Sequence, residues 1–271
     1  MTTTEDPGPS RDRLDVGGWL ADLTVAASFL TRFRPPGAQA ANDMAPGRLA
    51  GAVRAFPLVG AGVGLAGGII YVLAYWLGLP TFAAALCALV GGALITGALH
   101  EDGLADTADG LGGGQTVEDR LRIMRDSHIG AFGVMALVFS IGLRAAALAT
   151  LGTPWLVAAA LIASGAGSRA LLGLLMRRLD PARPDGLAAN AGRPSEEGAL
   201  TAAAIGAVFA IFFLGIGPGI VAAAAAAVAA AAVGQYARRG IGGYTGDVLG
   251  ATQQCAEIAI LLVAAAKLGS V

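Results

Sequence analysis

Apolar residues in this chain are grouped into long segments, and most polar residues lie between them. Seven segments can be tested against the roughly 20 residues that a helix needs to cross a bilayer. They lie at about 53–78, 81–100, 131–151, 154–176, 199–217, 219–237 and 248–268. The pattern predicts an all-α integral membrane protein built as a single bundle of about seven transmembrane helices.

The connections between these segments alternate in character along the chain. One set is short and uncharged, with Gly and Pro, and the other is longer and carries most of the arginines. The charged set comprises the region before 53 and residues 101–130, 177–198 and 238–247. Because arginine-rich loops stay on the cytoplasmic side, we expect the charged side to be cytoplasmic and the C terminus to lie outside.

Residues 16–31 form a further apolar segment that does not fit this alternation. Basic residues lie at both of its ends: Arg11, Arg13, Arg32 and Arg34. Such flanks favour an interfacial or re-entrant helix over a simple crossing. An eighth span, which would move the N terminus outside, is the alternative.

Composition agrees with a membrane location. Of the 271 residues, 55% are hydrophobic and 14% are charged, whereas soluble domains usually carry about 25% charged residues. The net charge of −1 excludes the basic field that nucleic-acid binding requires, so we expect no nucleic-acid partner. Residues 1–15 are polar and predicted to be a disordered tail, and residues 16–271 are predicted to form one polytopic domain.

Glycines are concentrated near the start of the first long segment, at 60–68. Small residues let membrane helices approach each other closely. A phosphate-binding loop is the weaker interpretation, because no strand precedes these glycines. The stretch therefore predicts a close helix–helix contact.

Three aspartates follow the second apolar segment. If its helix continues past residue 100, then Asp102, Asp106 and Asp109 have i, i+4, i+7 spacing and share one face. Carboxylates this close tend to hold a proton or a cation, and Mg²⁺ takes one or two carboxylates together with substrate phosphates. A solvated acidic helix end is the alternative, but here Gly, Leu, Ala and Thr separate the acids. The run is therefore predicted to bind a cation.

A short basic helix is predicted after the glycines at 112–114. Thr116 and Asp119 fit a helix N-terminal capping box. The arginines of this helix are Arg120, Arg122 and Arg125. They could form pairs with neighbouring acids, as Arg122 with Asp126, or face the aspartates and bind phosphate oxygens. His128 follows and could transfer protons, although a plain polar loop residue is the simpler interpretation.

Ionisable residues also lie within the apolar segments. Glu257 is about ten residues, roughly 15 Å, into the last segment, and Asp247 precedes it. Intramembrane carboxylates are costly and usually functional. Arg169 could reach a phosphate, whereas Arg144 is expected to pair with a carboxylate such as Glu257. Glu257 is therefore either a functional group or the buried partner of an arginine.

This set of carboxylates, arginines and glycine hinges suits magnesium-dependent phosphoryl transfer. In such reactions a metal bridges phosphate oxygens, arginines neutralise developing charge, and a carboxylate orients or deprotonates the attacking hydroxyl. No Ser/His/Asp order and no nucleophilic cysteine is evident.

Three long motifs resemble the cobalamin synthase family, the membrane-bound adenosylcobinamide-GDP ribazoletransferases. They are HEDGLADTADGL at 100–111, RIMRDSHIGAFG at 122–133 and GYTGDVLGA at 243–251. Shorter similarities lie at 56–60 and 181–187. The resemblance therefore runs from about residue 20 to the C terminus.

The resemblance implies a reaction. A hydroxyl of alpha-ribazole, or of its 5′-phosphate, attacks the phosphate that joins cobinamide to GMP. GMP leaves, and adenosylcobalamin or its 5′-phosphate is formed. The resemblance also implies Mg²⁺ as cofactor and a multi-pass location in the bacterial inner membrane. The substrates are the expected partners, with the lipid bilayer and a homodimer as further expectations.

The motifs also imply roles for residues of this chain. The metal ligands or metal-shell residues are Asp102, Asp106 and Asp109. The catalytic candidates from the motifs are Asp126 and Asp247, and the intramembrane carboxylate Glu257 is the third candidate. The substrate contacts are His100, Arg122, Arg125, His128, Arg169 and Arg183. Two positions depart from the family pattern: Glu101 stands where an apolar residue is more frequent, and His128 stands where arginine is frequent, which favours a basic phosphate contact there.

Other membrane proteins use similar residues. A CDP-alcohol phosphotransferase needs an Asp-Gly-x-x-Ala-Arg element, but aspartate follows Ala105 here. A ubiquinone-pathway prenyltransferase has two aspartate-rich loops, and the second would be only Asp247. A transporter usually has internal repeats around a midplane site, whereas the acids here cluster at the cytoplasmic ends of the segments.

Overall fold

A computed structural model of the chain describes residues 16–33 and 47–269. Its helices are α1 (Val16–Leu30), α2 (Arg48–Gly51), α3 (Phe56–Trp76), α4 (Thr81–Thr96), α5 (Leu99–Gly113), α6 (Val117–Ile123), α7 (Ala131–Leu151), α8 (Pro154–Ala170), α9 (Leu172–Arg178), α10 (Leu187–Ala191), α11 (Glu196–Leu214), α12 (Ile216–Ile241) and α13 (Gly246–Leu268). A 3₁₀ turn at Ala52–Ala55 joins α2 to α3. The predicted tail at 1–15 lies outside the described residues.

Among the described residues, six stretches of helix are long and apolar enough to cross a membrane. They are Arg48–Trp76, Ala131–Leu151, Pro154–Arg178, Glu196–Leu214, Ile216–Ile241 and Gly246–Leu268. Helices α4 and α5 are long and apolar enough to cross a membrane only when they are taken together. If they form one span, the number of spans among the described residues is seven. Within the described ranges no strand is present. The prediction of an all-α membrane bundle with about seven spans is therefore confirmed.

The second predicted span is not one straight helix. Helix α4 ends at Thr96, and α5 leaves its axis at 91°. Gly97 and Ala98 both have left-handed backbone angles, with φ of 68° and 57°. That conformation suits glycine and is uncommon for alanine. The expectation that the helix runs on past residue 100 is therefore wrong, and the aspartates lie on a helix of their own.

Helix α1 packs beside the 3₁₀ turn and the first residues of α3. Its Asp22 accepts hydrogen bonds from Arg48 at 2.9 Å and from Arg54 at 2.6 Å. The Arg54 guanidinium also lies 4.4 Å from the centre of the Trp19 ring. With 15 residues, α1 is about 22 Å long, less than the roughly 30 Å of a bilayer core. These features fit the interfacial prediction better than a crossing.

Helices α3 and α8 pack along each other through small residues. A Cβ atom added at Gly60 or Gly64 would collide with the backbone of Gly165 or Leu161. One turn further on, a Cβ at Gly68 would lie 2.9 Å from the Cβ of Ala158. The prediction that the glycines at 60–68 allow a close helix contact is confirmed.

Helix α13 lies at the centre of the bundle, in contact with α5, α7, α8 and α12. Its polar residues Gln253, Gln254 and Glu257 are all buried. Because buried polar groups are costly without hydrogen bonds, their partners must come from the surrounding helices. Those partners connect the centre of the bundle to the residues of the motifs.

Candidate active site

The acidic residues of two motifs meet where α5 crosses α13. A Cβ added at Gly103 would lie 3.2 Å from the Cα of Gly250 and 2.8 Å from the carbonyl oxygen of Asp247. Only glycine at both positions lets the two backbones approach this closely. The crossing brings Asp247 near the aspartates of α5, and Asp106 experiences repulsion from both Asp102 and Asp247.

Asp102 and Asp106 line one side of a polar cleft of about 480 Å³. The other side carries Arg125, Asp126 and Ser127, which follow α6. In residues 16–33 and 47–269, the carboxylates of Asp102 and Asp106 have no hydrogen-bond donor and no cationic partner. The cleft therefore combines two unpartnered carboxylates with a guanidinium and a third carboxylate.

Asp109 is placed differently from the other two aspartates. Its carboxylate accepts hydrogen bonds from the backbone N–H groups of Gly130, at 2.7 Å, and Gly133, at 2.9 Å. These groups belong to the first turn of α7 and have no partner within that helix. Asp109 therefore caps α7 from a neighbouring helix. Each oxygen keeps a second lone pair, so its part in a metal shell stays a prediction.

Asp247 is held by two neighbours through the same oxygen, Oδ2. The hydroxyl of Thr245 donates to it at 3.0 Å, and Arg183 donates at 3.3 Å. Arg183 reaches this position because Pro181 forms an isolated bridge with Tyr244, just before α13. The structure therefore brings together Asp247 and Arg183, which two separate motifs predict.

Helix α6 begins as its sequence predicts. The hydroxyl of Thr116 accepts a hydrogen bond from the N–H of Asp119 at 3.1 Å, which confirms the cap. Arg122 donates to the carboxylate of Asp119 at 3.1 Å, and this bond lowers the pKa of Asp119. Of the possible partners, Arg122 therefore pairs with Asp119 rather than with Asp126. Arg122 is exposed and does not line the cleft, so its substrate contact stays a prediction.

The residues after α6 form two exposed polar pairs. Arg125 donates to both carboxylate oxygens of Asp185, at 2.6 and 2.7 Å. Nδ1 of His128 lies 2.6 Å from Asp126, which also accepts from the His128 backbone N–H. Hydrogen bonding by His128 lowers the pKa of Asp126. Asp126 therefore stays ionised to a more acidic pH than an isolated aspartate would.

A second group of charged residues is buried inside the bundle. Arg144 donates to Glu101 at 3.3 Å and to Glu257 at 3.2 Å, so its predicted pairing with Glu257 is confirmed. Gln254 also donates to Glu101, at 3.1 Å. Arg169 is 3% exposed, and its Nη1 lies 3.9 Å from Glu257. Arg169 and Glu257 do not line the polar cleft but a narrower cavity that they share with His100, Glu101 and Arg144. The phosphate contact of Arg169 and the catalytic role of Glu257 stay predictions.

His100 directly precedes Glu101 and Asp102, which line the cleft. It is 3% exposed, and its Nε2 has no hydrogen-bond partner in the part of the chain that the structure describes. It lines a second cavity of about 200 Å³, together with Asp102 and Asp247. Asp102 therefore borders both the polar cleft and this second cavity.

The carboxylates of the cleft fit a magnesium ion only together with phosphate oxygens from a substrate. Across the described residues, no three His, Cys, Asp or Glu side chains could hold a metal ion by themselves. Mg²⁺ needs few protein ligands, because waters and phosphates complete its octahedron. The unpartnered carboxylates of Asp102 and Asp106 are hard oxygen donors of the required type.

Three contacts of the site are absent from the sequence-based prediction. Glu101 binds Arg144 across 43 positions, and Asp185 binds Arg125 across 60. Thr245 lies within a motif, two residues before Asp247, and could have been identified as a helix N-cap by its residue type. Residue type and spacing give no signal for the other two contacts.

Comparison with known proteins gives one consistent result. The family model described as cobalamin-5-phosphate synthase matches residues 22–265. The chain is 50% identical over 247 residues to the adenosylcobinamide-GDP ribazoletransferase of Bradyrhizobium diazoefficiens, covering 91% of this chain and 94% of the relative. Identity to the enzyme of that name from Azorhizobium caulinodans is 46% over 249 residues, 90% and 94% of the two chains. No solved structure matches the chain.

Proposed function

The chain belongs to the cobalamin-5-phosphate synthase family, and we propose that it joins ribazole to adenosylcobinamide-GDP with release of GMP. The observation that carries the proposal is the polar cleft, where unpartnered Asp102 and Asp106 face Arg125 and Asp126. That arrangement can bind the phosphates of a nucleotide-activated substrate next to a proton acceptor.

The reaction is a substitution at phosphorus. A ribose hydroxyl oxygen of ribazole forms a bond to the phosphorus that carries cobinamide, and the bond from this phosphorus to the oxygen of GMP breaks. GMP leaves with the bridging oxygen, and the hydroxyl proton passes to a carboxylate. With ribazole the product is adenosylcobalamin, and with ribazole 5′-phosphate it is the corresponding phosphate.

We assign Asp102 and Asp106 to the magnesium site, where they would hold the ion against the phosphate oxygens. The bound ion would supply charge neutralisation as GMP leaves. Arg125 lines the same cleft and is assigned to the diphosphate, because guanidinium groups bind phosphate oxygens in a bidentate manner. His128 is bonded to Asp126 of the cleft and Arg122 is exposed on α6, and we assign both to a more exposed part of the substrate.

Asp247 is our candidate for the base. It borders the second cavity beside Asp102, and Arg183 and Thr245 bind only its Oδ2. Its Oδ1 has no hydrogen-bond donor among the described residues and can accept the proton. Asp126, on the opposite side of the cleft, is the alternative base.

We propose that the protein lies in the bacterial inner membrane with the cleft facing the cytoplasm, because its arginine-rich loops are on that side. A corrinoid is large compared with cavities of about 480 and 200 Å³, which supports a homodimer that completes its site. Labelling of a Ser127→Cys variant by a membrane-impermeant thiol reagent tests the orientation. Labelling in intact spheroplasts would contradict it.

The decisive experiment incubates purified protein with adenosylcobinamide-GDP, alpha-ribazole and Mg²⁺, followed by mass analysis of the products. We expect GMP and adenosylcobalamin, and no product after chelation of the metal. Asp106→Asn should abolish turnover while the protein still inserts into the membrane. Glu118→Gln changes an exposed carboxylate outside the cleft and serves as the control. Turnover by Asp106→Asn equal to that of the control would contradict the assignment.

A further inference from the structure

The second cavity lies between α5 and the start of α13, on the side of Asp102 away from the polar cleft. Its walls are mostly apolar and come from distant parts of the chain, including Phe29 of α1, Phe56 of α3, Met176 of α9 and Leu249 of α13. The rings of Phe29 and Phe56 are stacked, with their centres 6.2 Å apart. Seven helices therefore line this cavity, whose apolar walls suit a flat apolar group.

Three ionisable residues line the cavity, and one of them, Asp102, also lines the polar cleft. They are Asp102, Asp247 and His100. Nε2 of His100 is buried and has no hydrogen-bond partner in residues 16–33 and 47–269. A buried ring nitrogen without a partner costs free energy unless a ligand or water supplies one. His100 also lines a narrower cavity together with Arg144 and Arg169. The second cavity therefore combines an apolar interior, a buried histidine in its lining and the carboxylate of the proposed base.

We propose that this cavity binds the base of ribazole and thereby sets which nucleoside the enzyme accepts; the inference rests on the proposed function. Dimethylbenzimidazole is a flat bicyclic ring with two methyl groups and one unsubstituted ring nitrogen. The apolar walls surround the methyl-substituted ring, and His100 donates a hydrogen bond to the ring nitrogen. The ribose then lies beside Asp102 and Asp247, with a hydroxyl directed at the polar cleft.

Size and polarity exclude the other parts of the two substrates. A cavity of about 200 Å³ is smaller than the roughly 300–1,000 Å³ of pockets for drug-sized ligands, and a corrin macrocycle is too large for it. Guanine would bury several donors and acceptors against apolar walls, at a cost of about 1–3 kcal/mol for each unpaired group. A methyl-substituted benzimidazole has one acceptor to satisfy.

The test is a change of substrate preference. Leu249→Phe adds volume to the cavity wall, and Leu262→Phe makes the same change at an exposed position of the same helix. We expect Leu249→Phe to raise the KM for ribazole by a factor on the order of 10 or more, as one or two methylenes do in an apolar pocket. The KM for adenosylcobinamide-GDP should stay within about twofold, because the proposal places only ribazole in this cavity. A general loss of folded protein would not change the KM for one substrate alone.

An alternative nucleoside shows whether the effect comes from the nucleobase. The riboside of benzimidazole lacks both methyl groups, so Leu249→Phe should penalise it less than ribazole and reverse the preference of the wild type. Phe29→Leu removes volume from the wall and enlarges the same cavity. Phe139→Leu makes the same change on the exposed face of α7 and is its control. Phe29→Leu should also raise the KM for ribazole. If Leu249→Phe does not fold, this variant decides the question.

Two results separate the failure of this inference from that of the proposed function. Wild-type protein that forms no product with either nucleoside would contradict the proposed function. Product formation in which neither variant changes the KM for ribazole, or in which both KM values rise together, would overturn the cavity assignment alone. Equilibrium dialysis of ribazole against the wild type and Leu249→Phe, without the second substrate, measures the same difference independently of turnover.

Discussion

Arg144 and Glu257 form an ion pair of 3.2 Å inside the bundle, and both side chains are almost fully buried. The same guanidinium group lies 3.3 Å from Glu101. One arginine of α7 therefore joins a carboxylate of α13 to a carboxylate of the helix that carries the aspartates. The pair connects the centre of the bundle to the reaction centre.

Removal of Arg144 should destabilise the protein strongly. Arg144→Met leaves two buried carboxylates without their shared cation, and breaking such a buried pair typically costs about 3–5 kcal/mol. Thermal unfolding in detergent should show a large fall in Tm. Arg178→Met removes an exposed arginine and should change stability by no more than about 0.5 kcal/mol. Equal Tm values for the two variants would contradict the role given to Arg144.

Glu257→Gln separates a structural role from a catalytic one. The glutamine keeps the shape of the side chain but removes the charge that faces Arg144. If Glu257 is structural, Tm falls while kcat per folded molecule stays close to that of the wild type. A catalytic acid or base would instead contribute about 10²–10⁴-fold to the rate. A fall in kcat of that size with an unchanged Tm would indicate that Glu257 is catalytic.

Gly103→Ala should disturb the crossing of α5 and α13. The new Cβ would lie 2.8 Å from the carbonyl oxygen of Asp247, so the helices must separate. A displacement of about 1 Å at a catalytic group can cost roughly 100-fold in rate, and we expect a fall in kcat of that order. At Gly142 an added Cβ meets no atom within 4 Å, so Gly142→Ala is the control. Unchanged kcat in Gly103→Ala would show that the close crossing is not required.

Asp109→Ala should weaken the start of α7. It removes the acceptor for the N–H groups of Gly130 and Gly133, and the loss of a helix cap costs about 0.5–2 kcal/mol. Hydrogen exchange should increase at the first turn of α7 more than elsewhere. Asp109→Asn keeps one carbonyl acceptor and should be less affected. If Asp109 instead binds metal, both variants would raise the Mg²⁺ concentration needed for half-maximal activity.

His128 should affect the acid side of the pH profile. Its hydrogen bonds lower the pKa of Asp126, so the ionised form of Asp126 persists until the pH falls through that lowered value. His128→Ala removes the side-chain bond and lets the pKa rise toward its usual value. If Asp126 takes part in the reaction, the acid limb of kcat/KM should move to higher pH. His128→Asn retains a donor and should move less, and coincident profiles would contradict the coupling.

Hydropathy was sufficient to predict the six unbroken spans of the described residues, because each depends mainly on its own composition. The predicted span at 131–151 matches α7 in full. The bend after α4 depends instead on a distant segment, since the N–H of Arg32 donates to the carbonyl of Ile95 at 2.8 Å. No residue pattern marks the left-handed alanine at 98.

The candidate site was predictable where the motifs carry the contacts themselves. Asp102 and Asp106 were predicted as parts of one aspartate run and Asp126 from a separate motif, and all three line one cleft. Arg169 was expected to contact phosphate, but its side chain is directed into the core beside Glu257. The sequence places a residue along a helix, whereas the rotation of that helix about its axis depends on its neighbours.

The buried charges also have a consequence for the response to membrane voltage. Arg144 and Arg169 contribute two positive charges, and Glu101 and Glu257 contribute two negative ones, so the ionised group has no net charge. A potential of 100 mV across the bilayer acts on one unpaired elementary charge with about 2.3 kcal/mol. On a neutral quartet the forces nearly cancel. Loss of any one member would leave a charge on which the membrane potential could act.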